Sequence, residues 1–328
     1  MITLILTVLN EGQSISRLME SLVSQTRLPD EIVVVDGGSK DNTVDVIESY
    51  ASDLPLRVIV EPGCNISRGR NRALEEANGG IIAVVDAGVR IENDWLERIT
   101  QPFIDDHDVS VVGGFFQADP FTLFEVAMGA TVLPLADEID PATFLPSSRS
   151  VALRKSAADS VGGYPEWLDY CEDLVFDLRL KQVAGTFAFA PDALVYFRPR
   201  SSLRAFFKQY YLYARGDGKA DLWRKRHVIR YITYLLFAPL ILILGFTTSY
   251  LFYLLFFIGA VAYLYRPYKR LPVVLKRAPE HSFAGLVYVV MLVPVIRLLG
   301  DVAKMVGYPV GWLWRLRNRP PDWKFTKI

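Results

Sequence analysis

The stretch EIVVVDGGSKDNT, Glu31–Thr43, decides the fold. Glu31–Val35 is a β-branched run with no polar alternation, which reads as a strand buried on both faces. Asp36 leaves its end, Gly37 and Gly38 permit tight backbone geometry, and Asp41 is the expected cap of a following helix. The same pattern extends in both directions. Strand-like runs open the chain (MITLILTV) and recur at Leu56–Val60 and Ile81–Val85. Helix-period stretches lie between them at Gln13–Gln25, Asp41–Tyr50 and Ile66–Ala77. The order βαβαβαβ predicts a parallel sheet with helices on both faces. Right-handed crossovers then line the loops after each strand along one edge, where ligands of such sheets bind.

Further on, Trp95–Phe103 reads as a helix and Val109–Phe116 as a strand, while the Pro-punctuated stretch to Pro146 shows no period. Helical period returns at Glu172–Val183, followed by short apolar runs at Thr186–Ala190 and Ala193–Phe197. Ser201–Arg215 is amphipathic and aromatic-rich, and suits a membrane interface or the globular core equally.

The 328 residues are 51% hydrophobic with mean hydropathy +0.23, which excludes disordered, collagenous and small disulfide-stapled classes. Zero net charge hides a split: Met1–Leu222 holds 20 basic and 33 acidic residues, Trp223–Ile328 holds 16 and 3. An acidic front argues against nucleic-acid binding, and a basic, aromatic, apolar back suits anionic membrane lipids. Cys64 and Cys171 form no spaced set with His107, His227 or His281, so no disulfide framework or structural zinc site is indicated. The dinucleotide fingerprint GxGxxG and the phosphate loop GxxxxGK[ST] are both missing, which disfavours a dehydrogenase and a P-loop ATPase.

Tyr231–Tyr265 contains no Asp, Glu, Lys, Arg or His. As one helix it would span about 52 Å at 1.5 Å per residue, against a hydrocarbon core of about 30 Å. A hairpin turning near Gly245–Ser249 is expected instead. Basic clusters flank both ends, so the positive-inside rule puts both in the cytoplasm. Phe283–Ile296, broken by Pro294 and closed by Arg297, dips into the membrane, lies flat on it, or pairs with Val302–Leu313 as a second hairpin. The opening MITLILTVLNEG has no basic leader and reads as a buried strand, not a secretory signal. The expected organisation is a cytoplasmic domain over residues 1–220 and a multi-pass cell-membrane region over 221–328. That region holds the hairpin at about 231–265 and further membrane segments at about 283–314.

Three motifs occur in order: TVLNEG from Thr7, VVVDGGSKDNT from Val33, and GRNRALEEANGGIIAVVDAG from Gly69 to Gly88. Together they resemble the nucleotide-sugar domain of family 2 glycosyltransferases, which have the Rossmann-like α/β GT-A fold. The resemblance continues through GGYPEWLDYCEDLVFDLRL and FKQYYLYARGDGKA and so covers Met1 to Ala220. It implies that Thr7, Leu9 and Glu11 wall the nucleotide pocket, that Asp36 meets the base, and that Arg70 reaches the nucleotide or its diphosphate. A diphosphate leaving group gains negative charge as it departs and needs fixed positive charge nearby. Arg68, Arg70 and Arg72 alternate, and a solvated helix face accounts for two of the three.

Asp86 would be the first acid of the family's Asp-x-Asp motif, which holds Mg²⁺ or Mn²⁺ against the diphosphate. The sequence departs from that pattern at Asp86-Ala87-Gly88, where the second acid is absent. Mg²⁺ often takes only one or two protein carboxylates, so Asp86 alone suffices for it, and metal-independent transfer is the alternative. Asp173 would be the base that deprotonates the acceptor hydroxyl, with Glu172 orienting it. Leu212 and Tyr213 stand where processive synthases carry Arg and Trp, which disfavours processive synthesis. Arg215 is either a basic lid over the diphosphate or a membrane-surface arginine.

The expected activity is inverting transfer from a nucleotide-diphosphate sugar to a membrane-associated acceptor, a hydroxyl of a lipid-linked glycan or glycolipid. The first alternative is a synthase loading polyprenyl phosphate, whose acceptor is already ionised and needs no base. The second is a tethered protein that binds without chemistry.

Overall fold

Leu4 and Leu6 of strand β1 (Ile2–Val8) pack on one side of a sheet and Ile5 on the other, since successive strand residues face opposite ways. Helix α1 (Ile15–Val23) covers the first side with Ile15, Leu18, Met19 and Leu22. Strand β2 (Glu31–Asp36) divides in the same manner, with Ile32 and Val34 toward α1 and Val33 and Val35 toward the opposite cluster. Each Leu, Ile or Val so buried contributes about 1.5–3 kcal/mol, which fixes the sheet's register.

The computed structural model describes residues 1–323 and divides into two compact units, one built on Met1–Gln117 and Leu135–Phe197, the other on Ala118–Pro134 and Arg198–Pro320. In the first unit α2 (Thr43–Glu48), β3 (Leu56–Val60), α3 (Ile66–Glu76) and β4 (Ile81–Val84) complete the expected βαβαβαβ series. The strand order is β3-β2-β1-β4, all parallel. Then come β5 (Val89–Ile91), α4 (Trp95–Thr100), α5 (Pro102–Asp105) and β6 (Val111–Ala118). Helix α6 (Leu123–Val132) belongs to the second unit, and the chain returns as β7 (Val151–Arg154), α7 (Lys155–Ser160), α8 (Glu172–Ala184) and β8 (Ala188–Phe197). β7 runs antiparallel to β4 and β6, and β8 antiparallel to β5, giving an eight-stranded mixed sheet. The two apolar runs read around Pro191 are one strand. Pro191 and Asp192 are exposed, and the recorded β5 partners lie further on, at Val195–Phe197.

The second unit is helical: α6, α9 (Leu203–Ala220), α10 (Arg224–Ile232), α11 (Ala238–Thr247), α12 (Phe252–Leu275) and α13 (Phe283–Asn318). α9 packs along α13, a placement the amphipathic reading left open. Their backbones approach closely at glycines. A Cβ on Gly307 would lie 2.2 Å from the Tyr211 carbonyl oxygen, and one on Gly218 2.2 Å from that of Tyr308. Gly307 and Gly311 are spaced as the small residues of close helix pairs are. α10 and α11 join through the π-turn Thr233–Phe237, which precedes Pro239 and absorbs its missing N–H. The chain then turns at Thr248–Leu251, overlapping the expected Gly245–Ser249, and a Cβ on Gly245 would lie 2.6 Å from the Tyr253 ring.

The second-hairpin option for Phe283–Leu313 is corrected by α13, a single helix throughout. The polar step at Arg297–Asp301 does not break it, because Asp301 is satisfied from neighbouring helices. Its Oδ1 accepts from Arg230 Nε at 2.8 Å, and Oδ2 accepts from the hydroxyls of Tyr263 at 2.7 Å and Tyr234 at 3.0 Å. Among the described residues, Arg224–Thr247 and Phe283–Asn318 are helical spans long and apolar enough to cross a membrane. The first is almost wholly exposed, Phe246 within it most of all.

Candidate active site

The polar face of α3 builds the site. Asn65 Nδ2 donates to the Glu166 carbonyl at 2.7 Å, and Ser67 Oγ to that of Leu168 at 2.9 Å. Asn71 exchanges bonds with the backbone of Tyr164, donating at 2.9 Å and accepting at 2.7 Å. These ties hold the loop from Gly162 to Leu168, which leads into α8. Gly163 sits at φ +69°, and a Cβ there would lie 2.5 Å from Asn71 Oδ1. Cys171, just before α8, is a non-glycine residue in the left-handed region at φ 64°, a conformation that costs of the order of 1–2 kcal/mol.

The loop brings the acid pair at the start of α8 onto Arg70. Arg70 Nη1 donates to Glu172 Oε1 at 2.7 Å and Nη2 to Asp86 Oδ1 at 2.9 Å. The guanidinium is only 4% exposed and lies 5.2 Å from the Tyr164 ring centroid. Arg68 and Arg72, one turn apart on the opposite side of α3, make surface ion pairs with Glu61. The three arginines thus divide as the alternation implies, and Arg70 pairs with carboxylates inside the site.

Burial pushes the Glu172 carboxyl above the ordinary range, to about 7; the neighbouring charge of Asp173 adds to this and Arg70 opposes it. Asp173 is also raised by desolvation, again opposed by Arg70. Its Oδ1 accepts from the Leu174 N–H at 2.8 Å, and its side chain stays partly accessible. Asp177, one turn along α8, is buried with Oδ2 lacking a hydrogen-bond partner among the described residues, and desolvation holds its carboxyl well above the usual range.

Asp86 follows β4 at the sheet edge and is 30% exposed. Arg149, just before β7, brings Nε to 3.7 Å from Asp86 Oδ2 and stacks 4.3 Å from the Phe197 ring. Sequence reasoning missed Arg149, Tyr164 and Asp177. Among the described residues no group of three or more His, Cys, Asp or Glu side chains is disposed to hold a metal ion. A Cβ on Gly88 would meet nothing within 4 Å, so the place of the missing second acid is open space. The residues therefore fit a divalent cation held by one carboxylate, with phosphate oxygens and water completing its shell, and do not fit a protein cage.

Asp36 is 1% exposed and shapes its own loop. Oδ2 accepts from the N–H groups of Gly38 at 2.9 Å and Ser39 at 2.8 Å, and Oδ1 from the Ser39 hydroxyl. Asp41 ties the same edge together, accepting from the N–H groups of Thr43 and Gly12, both at 3.1 Å. Thr7 packs beside Gly69, and Leu9 beside Gly37 with its side chain half exposed. Glu11 accepts from the Ser14 hydroxyl, and its backbone N–H donates to Thr43 Oγ1 at 2.8 Å. All three lie at the end of β1 next to the Asp36 loop. Arg215 belongs to the second unit, on α9.

Residues 82–296 match the family model described as Glycosyl transferase family group 2, and residues 3–138 the one described as Glycosyl transferase family 2. The chain is 26% identical over 235 residues to glycosyltransferase AglE of Haloferax volcanii, covering 68% of this chain and 74% of that one. It is 33% identical over 111 residues to glycosyltransferase YibD of Escherichia coli, a match that spans only 33% of this chain and 32% of YibD. Mannosyltransferase PcManGT from Pyrobaculum calidifontis, solved with GDP-Man and Mn²⁺, has the same fold, with a TM-score of 0.55 over 97% of this chain and 87% of that chain at 17% identity.

Proposed function

The chain belongs to glycosyltransferase family 2, and from that premise we propose that it moves a sugar from a nucleotide-diphosphate donor, with inversion, to a hydroxyl of a membrane-associated acceptor. The observation that carries this reading is the Asp86–Arg70–Glu172 chain of ion pairs, which holds the sheet-edge acid and the α8 acid pair as one constellation. The acceptor oxygen attacks the anomeric carbon as the bond to the diphosphate breaks, and Asp173 takes the hydroxyl proton. Glu172, buried and held by Arg70, orients Asp173 and the acceptor. Arg70 positions the carboxylates, and Arg149 is the cation on the donor side of Asp86. Asp86 would hold Mg²⁺ or Mn²⁺, which neutralises charge on the leaving diphosphate when bound. Thr7, Leu9, Glu11 and Asp36 receive the nucleoside.

Arg224–Thr247 and Phe283–Asn318 serve as membrane crossings, and their basic flanks favour a cytoplasmic catalytic unit. Confinement to the surface of a membrane that also carries the acceptor raises its effective concentration.

The test is nucleoside diphosphate release by the detergent-purified full chain. A panel of UDP, GDP and dTDP sugars is offered with membrane lipid extract and Mg²⁺, Mn²⁺ or EDTA. Release that needs the extract and falls about 10²–10⁴-fold in Asp173→Asn supports the reading. Extract-dependent release that survives the substitution points to polyprenyl phosphate as acceptor, and silence across the panel overturns the reading.

A further inference from the structure

Asp177 is a buried acid with no place in the transfer chemistry. It lies one turn beyond Asp173 on α8, is 4% exposed, and has the buried apolar residues Val175, Phe176 and Leu180 as neighbours on the helix. Its Oδ2 is closed off from solvent and has no hydrogen-bond partner among the described residues. Arg70, the cation that acts on it, has Nη1 on Glu172 and Nη2 on Asp86. An ionised carboxylate in such a place carries a desolvation cost that nothing nearby offsets, so the carboxyl holds its proton. A protonated carboxyl is a donor, and buried donors are normally satisfied.

Side chains on a helix lean toward its N-terminus, so Asp177 leans over the turn that carries Asp173. Asp173 Oδ1 accepts from the Leu174 N–H, while Oδ2 has no protein partner among the described residues. We propose that Asp177 is a positioning residue for the base: its carboxyl O–H donates to the Asp173 carboxylate, directly or through one water, and fixes the oxygen that takes the acceptor proton. A hydrogen bond to the charged form favours that form, so the same contact keeps Asp173 ionised between turnovers. The Asp177 proton stays in place; the acceptor's proton goes to Asp173 and leaves to solvent from its accessible side. An apolar residue of like size would suit the fold better than a carboxyl without a partner, so Asp177 costs stability and serves the site. The proposal rests on the reading of Asp173 as the base.

Asp177→Leu and Asp177→Asn in the full chain, beside Asp173→Asn, test this by thermal unfolding, by infrared difference spectra and by the release assay with the donor titrated. The Leu variant is expected to melt at or above the wild-type temperature and to lose about 10–100-fold in kcat with the donor KM unmoved. Asn, neutral and still a donor, is expected to recover most of that loss. At about pH 6.5, where exposed carboxyls are ionised, the spectra should show a protonated-carboxyl band that Asp177→Asn removes. Four results each overturn the proposal: wild-type turnover in the Leu variant, melting temperatures that fall with activity in both variants, equal damage from Asn and Leu, or a band that Asp177→Asn leaves in place. Asp173→Asn separates the two readings. If it is silent while Asp177→Leu matches wild type, the positioning role alone fails; if it is active, the base fails and the positioning role with it.

Discussion

Replacing Arg70 by Gln removes a buried cation that bridges two carboxylates. Its guanidinium is 4% exposed and Glu172 8% exposed, with 2.7 Å between the paired atoms. Removing one partner of such a pair costs about 3–5 kcal/mol, because the other charge remains buried without compensation. For a domain of this size one kcal/mol moves the melting temperature by about 2–4 °C, so the expected drop is about 6–20 °C. Asp86 retains Arg149 at 3.7 Å, so the loss falls mainly on Glu172. Arg70→Gln/Glu172→Gln should therefore be more stable than Arg70→Gln alone, by at least about 1 kcal/mol. Thermal unfolding of the full chain and the two single and one double variants at pH 8 measures the cycle. An Arg70→Gln protein within about 1 kcal/mol of wild type, or a double variant whose loss is the sum of the singles, refutes the clamp.

The raised Glu172 carboxyl makes stability depend on pH. The folded state holds that proton more tightly than the unfolded chain, so its contribution is full below the ordinary glutamate value of 4.5 and is lost as pH rises through about 7. Melting temperatures across that window should fall less steeply in Glu172→Gln than in wild type. Gly88→Asp restores the missing acid in open space and should leave stability within about 0.5 kcal/mol while lowering the Mn²⁺ concentration for half-maximal release about tenfold; an unmoved titration would separate Asp86 from the diphosphate. Gly311→Ala puts a Cβ 1.9 Å from the Arg215 carbonyl oxygen and should cost about 1–3 kcal/mol in thermal unfolding, whereas Gly259→Ala, with nothing within 4 Å, should gain about 0.5–1 kcal/mol.

The parallel half of the sheet is legible because strands buried on both faces announce themselves as β-branched runs, and because the loops between them are short. α6 is not. LFEVAMGATV is buried almost all round, so it lacks the apolar stripe that marks a surface helix, and it lies inside a Pro-punctuated stretch that masks its limits. α9 has such a stripe, but nothing in its sequence says that its cover is α13; the glycines at 218, 307 and 311 are the signal, visible only when both helices are considered together. In the site, Asp86, Glu172 and Asp173 are legible from motifs at strand and helix ends. Asp177 was within reach, since an acid four residues after Asp173 shares its helix face. Arg149 was not, because a loop brings it to Asp86 from more than sixty residues away.

The charges of the site bear on the metal. Asp86, Glu172 and Asp173 oppose Arg70 and Arg149, while Asp177 is held toward its neutral form by burial. Arg70 is committed to the carboxylates, so the protein presents little net positive charge to a departing diphosphate. A divalent cation on Asp86 would supply it, with phosphate oxygens and water filling the open space at Gly88. On this reasoning release in EDTA should fall to the background of the Asp173→Asn protein. Full activity in EDTA would require Arg149 alone to carry the leaving charge, and Arg149→Gln would then be as damaging as the loss of the base.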